Sequence, residues 1–400
     1  MNQLPPFLSP RRAASLSTRW NTDLDERFVL ALGWSPNGRM LAAATADGPT
    51  SLFDAQQGSV VQQLAGHGLG TLALAWHPDS QILSTAGQDG KIRLWNSTDG
   101  SEQAVLAGGG PWVERIAWSP RSAAIYKISA ATPVSSNEPI LASAAGKVLR
   151  LWQADGSMIR ELRNHTSTIA DLAWMPSSAK ARIPDQQHGH AVSGDTRTIL
   201  AVATYGGLTI RRPDREEPLS QYSWKGSTLV IAWSPDGRYI ATGDQDSTVH
   251  FWITRTGHDL QMWGYPTKVR ELAWDSSSRF LATGGGSAIT VWDCGGKGPE
   301  GTRPLQLDAH TGLISQISFQ RRSLILASGC QDGLVALWDV NRASKPIAVT
   351  QFDAAISQLA WSPDDRLLAV GTETGEVAVL QSPRQEDQHH ATVCLRMPRM

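Results

Sequence analysis

The sequence predicts an all-β protein: one closed ring of eight four-stranded antiparallel modules, with seven as the runner-up count. Three observations carry this. The stretch 66–95, GHGLGTLALAWHPDSQILSTAGQDGKIRLW, holds three apolar alternations separated by a His-Pro-Asp-Ser turn and a Gln-Asp-Gly turn. Period-two alternation bounded by Pro, Asp and Gly is the pattern of half-buried strands joined by tight hairpins. An anchor of the form apolar-x-apolar-Ala-Trp then recurs at Trp34, Trp76, Trp118, Trp174, Trp233, Trp274, Phe319 and Trp361, spaced 42, 42, 56, 59, 41, 45 and 42 residues apart. Finally, each anchor is followed by a strand of small apolar residues (ILSTAG, LASAAG, LASGC) and a third that ends on a bulky one, such as Trp95, Trp152, Trp252 or Trp338. A sheet this small cannot bury both of its faces alone, so the modules must stack on one another in a ring.

Taken in order, residues 1–22 are rich in Pro, Ser and Arg and read as a flexible lead-in, although residues 14–20 alternate and offer a ring-closing fourth strand. Residues 23–380 carry the eight repeats, and 381–400 form a polar tail whose residues 391–397 alternate equally well. The N-terminal strand is the preferred closure, because tying both chain ends into one sheet suppresses fraying. The net charge of −1 on 400 residues gives no electrostatic footprint for nucleic acid or an anionic membrane. No apolar run reaches the length of a membrane span. Cys294, Cys330 and Cys394 are odd in number and lack ligand-like spacing, which argues against a disulfide or zinc framework and for reduced thiols in a cytoplasmic protein.

The repeats resemble those of the WD-repeat β-propeller family. Gly66-His67, Asn164-His165 and Ala309-His310 stand at the Gly-His position, and Trp292-Asp293 and Trp338-Asp339 are the literal Trp-Asp pair. The resemblance implies a hydrogen-bonded set of His, Ser or Thr, Asp and Trp in each complete repeat. Two repeats offer the full set: His67, Thr85, Asp89 and Trp95, and His310, Ser328, Asp332 and Trp338. A buried imidazole and carboxylate are tolerable only when each is satisfied. The sets superficially imitate catalytic triads. They recur with the repeat and end on an indole, however, and no Gly-x-Ser-x-Gly elbow is present, so they are read as structural.

The departures are informative. At the His position, nine residues before the anchor, stand Trp224, Tyr265 and Phe352; these rings are expected to stack on third-strand residues and exchange a polar network for apolar burial. Insertions at 121–139 and 177–197 fall between first and second strands of adjacent repeats and are expected to protrude from one face. The second contains Asp185, His188 and His190. His188 and His190 are weak metal candidates, with His389, His390 and Cys394 of the tail as further ligands, but no established zinc spacing is present, and solvated histidines are the better reading.

No unique cluster of acids, bases or nucleophiles stands outside the repeat registers. The function expected is a non-catalytic, cofactor-free scaffold that binds one or more proteins through its rims, with no nucleic acid or membrane partner. By the family resemblance, the partner-binding positions are Phe28, Trp112, Glu114, Lys268 and Arg270 at first-strand starts, with Gln88, Tyr205, Gln245 and Gln331 before the turn Asp. Trp, Tyr and Arg dominate interface hot spots, which singles out Trp112, Tyr205 and Arg270. The competing readings are an enzyme or small-molecule binder using the central channel, with Glu114, Arg270 and Glu271 nearest its mouth, and a metal-handling propeller using the His-containing insertion.

Overall fold

The computed structural model describes residues 13–25, 27–68, 70–120, 138–179, 183–186, 191–192, 198–296, 298–342 and 344–382. Strands make up the regular structure among them. Repeat one shows the plan: Val29–Trp34, Met40–Thr45, Thr50–Asp54 and Val60–Leu64 pair antiparallel, each with the next. The second and third strands are almost wholly buried because they lie mid-blade, sandwiched between neighbouring repeats, whereas the fourth runs along the outer edge. First strands pack side by side around the ring, and Val29–Trp34 of repeat one meets Ile356–Trp361 of repeat eight to close it.

The recurring anchor indole has a specific task. Its Nε1–H donates into the preceding repeat: Trp76 to the Gly33 carbonyl (3.0 Å), Trp174 to Ala117 (2.9 Å), Trp233 to Ala173 (2.9 Å), Trp274 to Ala232 (3.1 Å) and Trp361 to Ser318 (2.9 Å). Trp34 donates across the closure to the Ala360 carbonyl at 2.9 Å, and Trp118 to the Ser84 hydroxyl at 2.9 Å. The anchor therefore combines a large apolar contact with one hydrogen bond that fixes the rotation of each repeat on the last.

A second set of ties lies just beyond the anchors, in the first–second turns. Ser80, Ser278 and Asp365 hold the left-handed conformation at φ 70°, 62° and 63°. Their side chains accept backbone N–H groups from the preceding repeat: Asn37 N to Ser80 Oγ (3.0 Å), Asp236 N to Ser278 Oγ (2.9 Å), and Arg321 N to Asp365 Oδ1 (2.9 Å). Local backbone strain is offset by an inter-repeat bond.

The expectation of eight four-stranded antiparallel blades is corrected. Among the described residues the strands pair into seven principal sheets, of which five are four-stranded, one is five-stranded and one is six-stranded. Counted as hydrogen-bonded sheets, the propeller has seven blades. The six-stranded sheet carries repeats four and five together, because Leu200–Arg211 and Ser220–Trp233 are single long runs. Only Lys225 and its neighbours separate the last strand of repeat four from the first of repeat five, too few residues to break the ladder.

The five-stranded sheet also departs from the all-antiparallel expectation, since Ala14–Ser15 pairs in parallel with Ala348–Gln351 of repeat seven. The chain then crosses to repeat eight, where Ser17–Asp23 pairs antiparallel with Glu376–Gln381 as its outer strand. Leu16, between the two pairings, is buried with Ala348, Phe352 and Leu380 and so pins repeat seven to repeat eight. The alternative closing segment, 391–397, lies outside the described residues.

The insertions are only partly described. Residues 121–137 lie outside the described set. Of 177–197, Ile183–Pro184 pairs with Ala191–Val192 as a two-stranded ribbon. Its described part does not protrude as expected. Ile183 is fully buried with Met175, Ile199 and Leu219, and Gln186 N–H donates to the Leu219 carbonyl at 2.9 Å. The segment folds back along the outer strand of repeat four.

Candidate partner-binding face

Strand direction alternates within each repeat, so the second–third turns and the fourth-to-first connections emerge at one end of the ring. This end carries the His and Asp positions. In repeat two they form a closed chain: Trp95 Nε1–H donates to Thr85 Oγ1 (2.9 Å), Thr85 Oγ1 lies 2.8 Å from His67 Nε2, and His67 Nδ1 lies 2.8 Å from Asp89 Oδ1. A carboxylate only accepts, so Nδ1 carries the proton and Nε2 receives the Thr85 hydroxyl. Burial pushes the His67 imidazole below its ordinary value, which keeps it neutral.

In repeat seven the same four residues meet differently. Trp338 Nε1 donates to Ser328 Oγ (2.8 Å), and Ser328 Oγ lies 2.7 Å from His310 Nε2. His310 Nδ1 stands 3.9 Å from Asp332, beyond hydrogen-bond range. Asp332 instead accepts from Thr311 N (2.8 Å), Thr311 Oγ1 (3.0 Å) and Leu334 N (2.9 Å), which hold its carboxyl well below the ordinary range.

The aromatic replacements at the His position behave in three ways. Tyr265 does not surrender the polar network as expected: its hydroxyl bonds Thr283 Oγ1 (2.9 Å), as His67 bonds Thr85, and it accepts Trp292 Nε1–H (3.0 Å) directly, where in repeat two the Trp95 indole goes to Thr85. Trp224 lies tilted against His250, ring centroids 4.0 Å apart and planes 47° apart, and His250 in turn stacks on Trp252 at 5.6 Å. Phe352 is simply buried. In repeat four, Val202 stands where repeat two has Thr85, so His165 Nε2 has no hydroxyl to meet and stays unpartnered; burial takes this imidazole down to about 4.

Of the expected partner positions, Trp112, Tyr205, Gln245, Lys268, Arg270 and Gln331 are exposed, and Phe28, Gln88 and Glu114 are half-buried. Trp112 is 51 % exposed and Tyr205 58 %. Sequence reasoning missed two neighbours at the same end. Trp263, 76 % exposed, follows the outer strand His258–Met262, and Leu313, 42 % exposed, precedes the first strand Ile314–Phe319. Leu313 stands six residues before its anchor, the register of Phe28, Trp112 and Lys268, so the repeat itself pointed to it; Trp263 lies outside that register, its only signal an apolar residue in a connection.

The channel candidates are not assembled into a site. Glu271 accepts Gly285 N–H (3.3 Å) within its own repeat, and burial pushes its carboxyl up. Arg270 is exposed, and Glu114 belongs to repeat three. Asp185 is buried against Arg215 at 2.6 Å, whereas His188, His190, His389, His390 and Cys394 lie outside the described residues.

The family comparison agrees with this geometry. A model described as "WD domain, G-beta repeat" matches residues 58–96, 220–252, 255–293 and 301–339. The chain belongs to the WD40-repeat β-propeller family. A second model, the anaphase-promoting complex subunit 4 WD40 domain, matches residues 15–69 and 346–395, the two chain ends that meet at the closure. Protein HIR1 of Yarrowia lipolytica is 27 % identical over 232 residues, half of this WD40 chain and 21 % of that protein. The Arabidopsis thaliana cell division cycle 20.1 protein, a cofactor of the APC complex, is 31 % identical over 38 % of this chain and 34 % of its own. THO complex subunit 3 of the same plant is 28 % identical over 38 % of this chain and 49 % of its own. The chain thus spans a fifth to a half of these relatives. A crystal structure of the computationally designed Ika8 protein superposes with a TM-score of 0.67 at 19 % identity, covering 93 % of this chain and all of that one, and shows the fold.

Proposed function

We propose that this WD40 propeller is a non-catalytic scaffold that binds protein partners through the end of the ring carrying the His and Asp turns. The observation that supports it most is the concentration there of exposed large apolar side chains, Trp112, Tyr205, Trp263 and Leu313. Exposed apolar groups rimmed by polar ones favour a protein partner, and Trp and Tyr provide the anchors such interfaces need. Lys268, Arg270, Gln245 and Gln331 supply the polar surround. Two relatives are named as a THO complex subunit and a cofactor of the APC complex, which is in keeping with work inside an assembly. The mechanism is rigid presentation: the ring fixes the spacing of the anchors and undergoes no chemistry of its own. Quantitative affinity capture from the source cell, comparing wild type with Trp112→Ala/Tyr205→Ala/Trp263→Ala, tests this. Co-purifying proteins should be depleted at least ten-fold while the melting temperature holds. Full retention by the triple variant would refute the assignment.

A further inference from the structure

The geometry points to a zinc-type divalent-cation site in repeat seven, built from His310 Nδ1, Cys330 Sγ and a carboxylate oxygen of Asp332. The three ligand atoms lie within 4.8 Å of one another, on a buried His, a buried Cys and a partly exposed Asp. The His310 side chain is 0 % exposed, and its Nδ1 has no hydrogen-bond partner while it points toward the carboxylate 3.9 Å away. A buried imidazole nitrogen left without a partner calls for a ligand.

The molecule carries its own control. Repeat two holds the same His-to-Asp pair closed at 2.8 Å, and the residue it has in place of Cys330 is Gly87. A Cβ added at Gly87 would lie 2.3 Å from His67 Cβ and 2.3 Å from the Gly70 carbonyl oxygen. The short His–Asp contact therefore requires a residue without a side chain at that position. Repeat seven has a thiol there, the pair is open by about an ångström more, and the sulfur occupies the third corner. A thiolate, an imidazole and a carboxylate together form a donor set suited to zinc, with water in a fourth position reached past Asp332.

The outer hydrogen bonds accommodate this assignment. Metal on Nδ1 requires the proton on Nε2, which then donates to Ser328 Oγ, 2.7 Å away. The Ser328 hydroxyl is released to donate to the Ala336 carbonyl at 3.4 Å. Such a partner on the far nitrogen fixes the tautomer and the ring plane of a metal-bound histidine. As the metal–sulfur bond forms, the Cys330 thiol gives its proton to solvent.

Titration of the reduced full chain with Co²⁺, and separately with Zn²⁺, tests the site. Binding of one equivalent of Co²⁺ should produce a thiolate-to-cobalt charge-transfer band, and Zn²⁺ should raise the melting temperature. Both responses should vanish in Cys330→Gly, which installs the repeat-two residue, and in Cys330→Ser, which keeps the volume. Both should persist in Cys294→Ser/Cys394→Ser. Absence of the band in wild type, or a band that survives both Cys330 variants, would overturn the assignment.

Discussion

At the scale of single residues, stability in this ring rests on polar groups that are buried and shared. Thr85 is the hinge of the repeat-two chain, since its hydroxyl serves both Trp95 Nε1 and His67 Nε2. Thr85→Ala leaves two buried groups without partners and should cost about 2–4 kcal/mol, read by denaturant unfolding. Asp244 makes the opposite case. It is fully buried in repeat five at the position of Gly87 in repeat two, it accepts from Thr228 Oγ1 at 2.9 Å, and burial raises its carboxyl to about 7. A folded state that holds a proton the unfolded chain has released loses stability as pH rises between the two values, here from 3.8 to about 7. Asp244→Asn mimics the protonated form. Its stability advantage over wild type should be small near the bottom of that window and reach roughly 4 kcal/mol above its top. An advantage that does not change with pH would contradict the argument.

At the scale of elements, strands and turns were legible because alternation, Pro-Asp turns and the anchor repeat every time. The two hydrogen-bonded sets were equally legible as residue lists, but their geometry was not. Only the space beside His67 shows why Gly87 permits a closed set and Cys330 opens one. Tyr265 reads as an apolar substitute for histidine until its hydroxyl is seen bonding Thr283 and Trp292. The fusion of repeats four and five was hidden because eight anchors count repeats, whereas hydrogen-bonded sheets depend on how many residues interrupt the ladder. Trp224 sits at that junction, half-buried, with its ring on His250. Trp224→Ala removes this contact and should cost about 2 kcal/mol of stability by thermal or denaturant melting. An unchanged melt would show that the ring lies idle on the rim.

At the scale of the whole molecule, indole hydrogen bonds tie repeat to repeat at the anchors, turn side chains do so in the adjoining first–second turns, and the N-terminal strand completes repeat eight. A frame fixed in this way presents the loops of the His and Asp end as one surface. Exposed apolar side chains also occur on the outer strands, at Val60, Val61, Val105 and Met158. These lie along the outer blade edges of three repeats, which makes them a natural comparison set. The most direct test places a photo-crosslinking amino acid at Trp112, Tyr205 or Trp263, and separately at Val61, Val105 or Met158, in the protein expressed in its own cell. Covalent adducts to other proteins from the first three sites, with few from the second three, are the predicted result. Adducts confined to the outer-strand sites would contradict the account.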